Sequence, residues 1–464
     1  MIKNHKTLFI VPDGVGIRNY LYSDIIKNIK EKSNIILWST IAKEAFSDTL
    51  NLHGINAEYE YLKLEKESII CKLLNDSSRY ARLISNSKLV NNKTIISNWN
   101  ISNNNFKQYL SKKITELIGI WASKKYSRIL WLEKQSINNL PRLLVNNYKK
   151  KLLELNPKTL FITHQRVNSL MPICIAAKEL NIKVITTIYS WDNLPKAKLA
   201  VYADYYHVWS AHMKDEMQLY YPEIAANKVV ITGTPQFEFY TQEDRKVSKT
   251  AFAQKYNLDS SKKWICFSGD DLFTSPYDDQ YLFDIAEAIS KIEIDQRPQL
   301  IFRKSPADDS NRYQKTLKHY SNIIVAIDPI WQNLAHGWGL NFAKIEDIDL
   351  LVNLSSHCEL VINLGSTMAL DFAFFDKPCL YLNYSPVLNQ KWNVESIYKF
   401  QHFKSMLNLD AVVWINNKEE IIDKIMYSLK NPSKVAVDRK KWTEKIIMHP
   451  VENSSRLIAE NILL

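Results

Sequence analysis

Residues Glu359–Tyr384, ELVINLGSTMALDFAFFDKPCLYLNY, constrain the fold more than any other stretch. A short apolar run, Leu360–Leu364, stops at Gly365-Ser366-Thr367. A helical segment carrying Asp371 follows, Lys377-Pro378 breaks it, and a second apolar run, Cys379–Leu382, begins. Strand, tight turn, helix and strand in one unit predict half of a doubly wound α/β domain. Ligands of such sheets sit at the carboxyl ends of the strands, where Gly365-Ser366-Thr367 falls. A small residue lets the backbone approach a phosphate, and the start of the next helix favours its charge. Read alone, the residues fit a plain helix cap by Ser or Thr equally well.

The same pattern recurs along the chain. Apolar runs at Thr7–Pro12, Asn34–Trp38, Ala57–Leu62, Lys158–Ile162, Lys183–Ile188, Tyr206–Trp209 and Lys228–Ile231 read as strands of a first domain. Trp264–Phe267, Gln299–Phe302, Asn322–Ala326, Leu360–Leu364, Cys379–Leu382 and Ala411–Ile415 read as strands of a second. Helical spacing separates them, so each half is expected to be a largely parallel sheet covered on both faces. Between about 67 and 155 glycine nearly vanishes, apolar residues take helical spacing, and turns such as Asn103-Asn104-Asn105 intervene. This is a helical insertion in the first domain. The expected domains are 1–245 and 246–432, with closing helices over 433–464.

At 464 residues the chain exceeds one ordinary core, which agrees with two domains. It has no run of 18 apolar residues, and Met1–Lys6 leads straight into TLFIVP, too early for a secretion leader. Five scattered cysteines, without metal-ligand spacing, read as buried thiols of a cytoplasmic protein. The net charge of +11 suits an anionic partner, but no nucleic-acid-binding motif accompanies it, so nucleic acid is not an expected partner. Segment Phe106–Trp131 mixes Tyr109, Leu110, Ile114, Leu117 and Trp121 with Lys107, Lys112, Lys113, Lys124, Lys125 and Arg128. It reads either as a core-facing helix with a basic outer face or as a helix lying on an anionic membrane.

Five of the nine glycines, Gly14, Gly16, Gly233, Gly269 and Gly365, follow predicted strands, and unusual polar residues stand beside them. Asp13-Gly14-Val15-Gly16-Ile17-Arg18-Asn19 is not a dinucleotide fingerprint, because Asn19 stands where the third glycine would be. His164-Gln165-Arg166 and Trp191-Asp192-Asn193 lie at two further strand ends. Asp13, His164 and Asp192 are candidates to abstract a proton, with Asp13 and His164 ahead. In the second domain Arg303 and Lys304 can meet a phosphate, Ser366 and Thr367 add hydroxyls and amides, and Asp371 can accept from a ribose hydroxyl or cap its own helix. There is no Walker motif, and no paired His or carboxylate motif demands a metal.

Together these residues resemble the GT-B glycosyltransferases, two Rossmann-like domains facing across a cleft. More narrowly, they are similar to bacterial surface-polysaccharide transferases of the capsule, O-antigen and teichoic-acid type and to UDP-GlcNAc 2-epimerase-like proteins. Gly14–Asn19, Ser190–Asn193, Gly233–Gln236, Gly365-Ser366-Thr367, Asp371 and Lys377-Pro378 carry the likeness. It implies that Gly269, Arg303, Lys304, Gly365, Ser366, Thr367 and Asp371 hold a nucleotide sugar. It implies an acceptor near Gly14, Gly16, Arg18, Asn19, Arg166, Trp191, Asp192 and Asn193. The last helices would cross back to the first domain. Lys304-Ser305-Pro306 stands where related strands end in His-Pro, and Asp371 replaces the commoner Glu. The implied activity is metal-independent sugar transfer to a surface glycan or a lipid-linked acceptor, with possible peripheral contact with an anionic membrane. A sugar-nucleotide epimerase and a non-catalytic assembly protein are the alternatives.

Overall fold

The computed structural model describes residues 5–100, 105–333, 340–387 and 392–464; the first two residues of the expected 103–105 turn lie outside them. The chain forms two compact units: Met1–Gln236 with Phe400–His402 and Ile446–Leu464, and Phe237–Lys399 with Phe403–Lys445.

The first unit is built on β1 (His5–Val11), β2 (Ser33–Ser39), β3 (Glu58–Tyr61), β4 (Thr159–Ile162), β5 (Lys183–Thr187), β6 (Tyr205–Val208) and β7 (Val229–Ile231). They form one sheet in the order β3-β2-β1-β4-β5-β6-β7, parallel throughout. Leu8–Val11 and Leu160–Ile162 are wholly buried, as expected for central parallel strands with cover on both faces. The strand order reverses between β1 and β4. That switch point is where the loops leaving two neighbouring strands diverge and open a crevice.

The insertion comprises α1 (Ile69–Leu89), α2 (Phe106–Ala122), α3 (Tyr126–Asn138) and α4 (Arg142–Leu155). Helix α4 packs Val145, Tyr148, Leu152 and Leu155 into the main core with Leu8, Ile10, Leu160 and Ile162. The other three close a small core of their own around Ala81, Ala122, Ile129 and Leu132. Arg82 ties them to the domain body. It pairs with Glu133 on α3 and Glu223, both at 2.5 Å, and its Nη1 donates to the Tyr126 hydroxyl at 2.7 Å.

The second unit holds β8 (Trp264–Ser268), β9 (Gln299–Arg303), β10 (Ile324–Ala326), β11 (Trp331–Asn333), β12 (Asn341–Ala343), β13 (Leu360–Asn363), β14 (Cys379–Leu382) and β15 (Val413–Ile415). Six of these make a parallel sheet ordered β10-β9-β8-β13-β14-β15, with its switch point between β8 and β13. The antiparallel pair β11–β12 was not expected from sequence, because three-residue strands carry too few residues for a period. It is anchored by Asp347, which accepts from the Ile330 amide at 2.8 Å and the Trp331 indole at 2.9 Å. Each unit is thus Rossmann-like, the first with a helical insertion. No helix among the described residues is long and apolar enough to cross a membrane.

Candidate functional site

The turn after β1 is short and glycine-rich because it lies against the end of β4. A Cβ on Gly16 would collide with the Thr163 hydroxyl, so no larger residue fits. Asp13 opens this turn with extended backbone, and its Oδ1 accepts from the Gly16 amide at 3.0 Å. Residues Ile17–Leu21 continue as a π-helical turn closed by the Tyr22 amide on the Ile17 carbonyl at 3.1 Å; such turns concentrate at functional sites. The apolar spacing of Tyr20, Ile25, Ile26 and Ile29 predicts a helix after β1, and the α-helix itself covers only Ile25–Ile29, with Tyr20 in the π-helical turn before it. Arg18 donates to the buried Asn19 side chain at 2.9 Å, which orders both residues within the turn.

His164 follows β4, directly across the switch point, and its Nε2 lies 3.2 Å from Asp13 Oδ2. The Arg166 Nη2 lies 3.1 Å from the same nitrogen. The tautomer decides which contact is a hydrogen bond: a protonated Nε2 donates to Asp13, and a bare one accepts from Arg166. The Nε2 proton thus has two states, each with a partner. Tyr189, just past β5, stacks edge-on against the imidazole at 4.4 Å, and the Arg166 guanidinium sits 4.4 Å from the Tyr189 ring centre. Burial pushes the Asp13 carboxyl up to about 6, against the Gly16 amide and the Arg166 charge, which favour ionisation. Burial, with Arg166 and Lys198 nearby, lowers His164 to about 3, so the ring is neutral near pH 7 and this contact is not an ion pair. A carboxylate poised near neutrality beside a neutral imidazole can take up a proton and return it.

The cluster after β5 has a different character. Lys196 pairs with Asp192; although burial opposes the charge, Lys196 and His402 hold the Asp192 carboxyl well below the usual range. The Asn193 amide donates to Asp192 at 2.6 Å and its oxygen accepts from Gln165 at 3.1 Å. Buried Trp191 packs edge-on to His402 at 4.7 Å. Of the three proton-abstraction candidates, Asp192 is committed to an ion pair, while Asp13 and His164 meet each other.

In the second unit Gly365-Ser366-Thr367 ends β13 at the switch point. Gly365 has φ +70°, and a Cβ there would come within 2.9 Å of Phe403, so glycine is required on both counts. The Ser366 amide donates to Asn363 at 3.0 Å, and its half-buried hydroxyl accepts from the Met368 amide at 3.4 Å. The remaining candidates of this unit have partners of their own. Arg303 is buried and donates to both Asp347 oxygens, at 2.8 and 3.0 Å, so its charge is already neutralised. That leaves half-buried Lys304 as the cation at the β9 end; its Nζ lies 3.8 Å from Asp328. Asp371 accepts from the Tyr240 hydroxyl at 2.6 Å. Gly269 faces Tyr313 and Asp278, with room for no Cβ: the Tyr313 oxygen would be 2.9 Å away.

Buried Asp278, with no signal in the sequence, organises the loop after β8. It accepts from the Asp270 amide at 2.6 Å, the Ser275 hydroxyl at 2.8 Å and the Tyr313 hydroxyl at 3.0 Å, and burial pushes it up to about 6. Carboxyl groups crowd this strand end, so an incoming phosphate is better served on the β13 side. Tyr189, Lys198 and Arg79 also escaped sequence reading. Tyr189 had the strand-end signal; the other two lie on a loop and on α1, far apart in sequence. Among the described residues no group of three or more His, Cys, Asp or Glu is placed to hold a metal ion.

No protein-family model matches this chain, and no curated protein matches it in sequence. Solved structures do match over nearly the whole chain. UDP-GlcNAc 2-epimerase from Methanocaldococcus jannaschii is 14% identical, with a TM-score of 0.51, over 98% of this chain and 99% of that one. The Neisseria meningitidis UDP-GlcNAc 2-epimerase, bound to UDP-GlcNAc, is 12% identical at a TM-score of 0.51, over 99% of both. A glycosyltransferase from Rickettsia africae is 11% identical at 0.51, over 99% of this chain and 98% of that one. At such identities the likeness establishes the fold: this chain has the GT-B-type architecture of two Rossmann-like domains that these proteins share.

Proposed function

We propose that this protein is an enzyme acting on a nucleotide sugar, and that its reaction is an epimerisation served by Asp13 and His164. The observation that carries this is their contact across the first switch point, with a carboxyl near 6 beside a neutral imidazole. Inverting a carbon centre requires its proton to leave and one to return on the other face; a single carboxyl does both when it takes the proton as carboxylate and gives it back once the intermediate has turned its other face to it. Asp13 takes the proton as carboxylate, and His164 with Arg166 sets where the Nε2 proton points. The fold shared with UDP-GlcNAc 2-epimerases, one of them bound to UDP-GlcNAc, supports the substrate class. The diphosphate is assigned to Gly365, Ser366 and Thr367, with Lys304 nearby and Asp371 reaching the ribose once Tyr240 shares it. Five buried, unpaired thiols support a reducing, cytoplasmic setting. The test is incubation with nucleotide sugars alone, followed by NMR: epimer formation that falls roughly 100- to 10,000-fold in Asp13→Asn is the expected result.

One observation favours sugar transfer as a second reading. The apolar stripe of α2 faces outward: Phe106, Leu110, Ile114, Leu117 and Trp121, spaced by three and four residues, are 41% to 77% exposed, while Thr115, Gly119 and Ala122 are buried on the other side. Lys107 and Lys113 flank that stripe, which suits an anionic bilayer carrying a lipid-linked acceptor. Asp13 would then deprotonate an acceptor hydroxyl near Gly14, Gly16, Arg18, Asn19 and Arg166, with Trp191, Asp192 and Asn193 shaping the wall. Product that forms only when acceptor is added separates this reading from epimerisation.

A further inference from the structure

We infer that the first domain carries a phosphate-binding pocket formed by Arg79, Arg166 and Lys198, where the helical insertion meets the end of β4. This goes beyond the proposed function, because it adds a second phosphate site in the domain opposite in sequence to the Gly365 loop, and it holds for epimerisation and transfer alike. A pocket of about 440 Å³ opens there, lined by these three residues together with Arg82, His164 and Tyr202. Its volume suits a diphosphate or a sugar phosphate.

The charge balance of this pocket is what calls for an anion. Arg82 is matched by Glu133 and Glu223. Arg79, Arg166 and Lys198 make no ion pair among the described residues. Glu67, the other carboxylate on the wall, accepts from Asn75 and pairs with none of the three. The Arg79 Nη2 donates to the Asn98 carbonyl at 3.2 Å, and its Nε is buried with no partner. Burial lowers Lys198 to about 8, and the Arg166, Lys196 and Arg79 charges add to the shift. Asp76, Asp13 and Asp192 act on Arg79, Arg166 and Lys198 without pairing with them, and half-buried cations held together this way are relieved by a bound anion. Two guanidinium forks and an ammonium fit phosphate oxygens, which accept several donors at once. Since His164 and Arg166 also line this pocket, the bound phosphate lies beside the Asp13–His164 pair.

Calorimetric titration with inorganic pyrophosphate tests the site on the full chain. Wild type should bind it, Ser366→Ala/Thr367→Ala should still bind it at this pocket once the Gly365 loop is disabled, and in that background Lys198→Met and Arg79→Met should each weaken the binding at least tenfold. Without phosphate, Lys198→Met should melt higher than wild type, because it removes a repelled charge; a merely structural lysine would melt lower when lost. Parallel titrations with UDP and with a sugar 1-phosphate identify the source: weakening toward UDP marks the nucleotide's own diphosphate, and weakening toward the sugar phosphate alone marks a second phosphorylated substrate. Equal pyrophosphate affinity in the Ser366→Ala/Thr367→Ala background with and without either cation substitution, or no binding by wild type, overturns the inference. Such a failure would leave nucleotide-sugar conversion intact, so the two claims fall separately.

Discussion

Asp13 is a residue whose burial in the charged state works against stability. Burial raises its folded pKa to about 6, above the ordinary aspartate value near 3.8, so folding favours the protonated form. Its stabilising contribution is full below about pH 4 and is lost as pH rises through 6. Asp13→Asn keeps the cap on Gly16 and carries no charge. It should therefore be more stable than wild type above pH 6, by up to about 3 kcal/mol, with the difference closing below pH 4 in urea unfolding. In the proposed epimerisation the sign is opposite: there the carboxylate is the base, so kcat/KM should fall as pH drops below 6. No second limb from His164 should appear above pH 4, since its proton is lost near 3. Both residues were legible in the sequence because each directly follows a strand. Lys198 and Arg79 were not, since only the folding of the insertion brings them to one pocket. Nor was the neutralisation of Arg303, whose partner Asp347 lies 44 residues away.

The central strands were the most legible elements: buried on both faces, they read as apolar runs. Helix α2 shows where periodicity stops informing. Its apolar spacing was visible, but spacing fixes that a stripe exists and not whether the stripe packs inward. Small residues Thr115, Gly119 and Ala122 form the packed side, so the large apolar residues are left outside. On the sugar-transfer reading, Phe106→Glu with Leu117→Glu should abolish sedimentation with anionic liposomes and leave the melting temperature within about a degree, as expected for exposed sites. Arg82 supports the opposite case, an element held by charge. Arg82→Met leaves Glu133 and Glu223 facing each other half-buried, and should cost about 3–5 kcal/mol in chemical unfolding.

At the scale of the whole molecule, both units repeat one plan: an order reversal beside the first strand, and a glycine turn at that reversal. The chain therefore presents the Asp13 turn at one switch point and the Gly365 loop at the other. A bound nucleotide should raise stability by mass action, about 2.7 kcal/mol at a hundredfold excess over Kd. In a melting panel of UDP, GDP, CMP and CDP, one nucleotide should stabilise wild type, and Ser366→Ala/Thr367→Ala should lose most of that shift. The most direct measurement of the central claim is NMR of nucleotide sugars incubated with the enzyme in D2O. Deuterium should appear at one sugar carbon with wild type and be lost with Asp13→Asn. Deuterium uptake that is unchanged in Asp13→Asn, or no uptake with any nucleotide sugar that binds, would contradict the account.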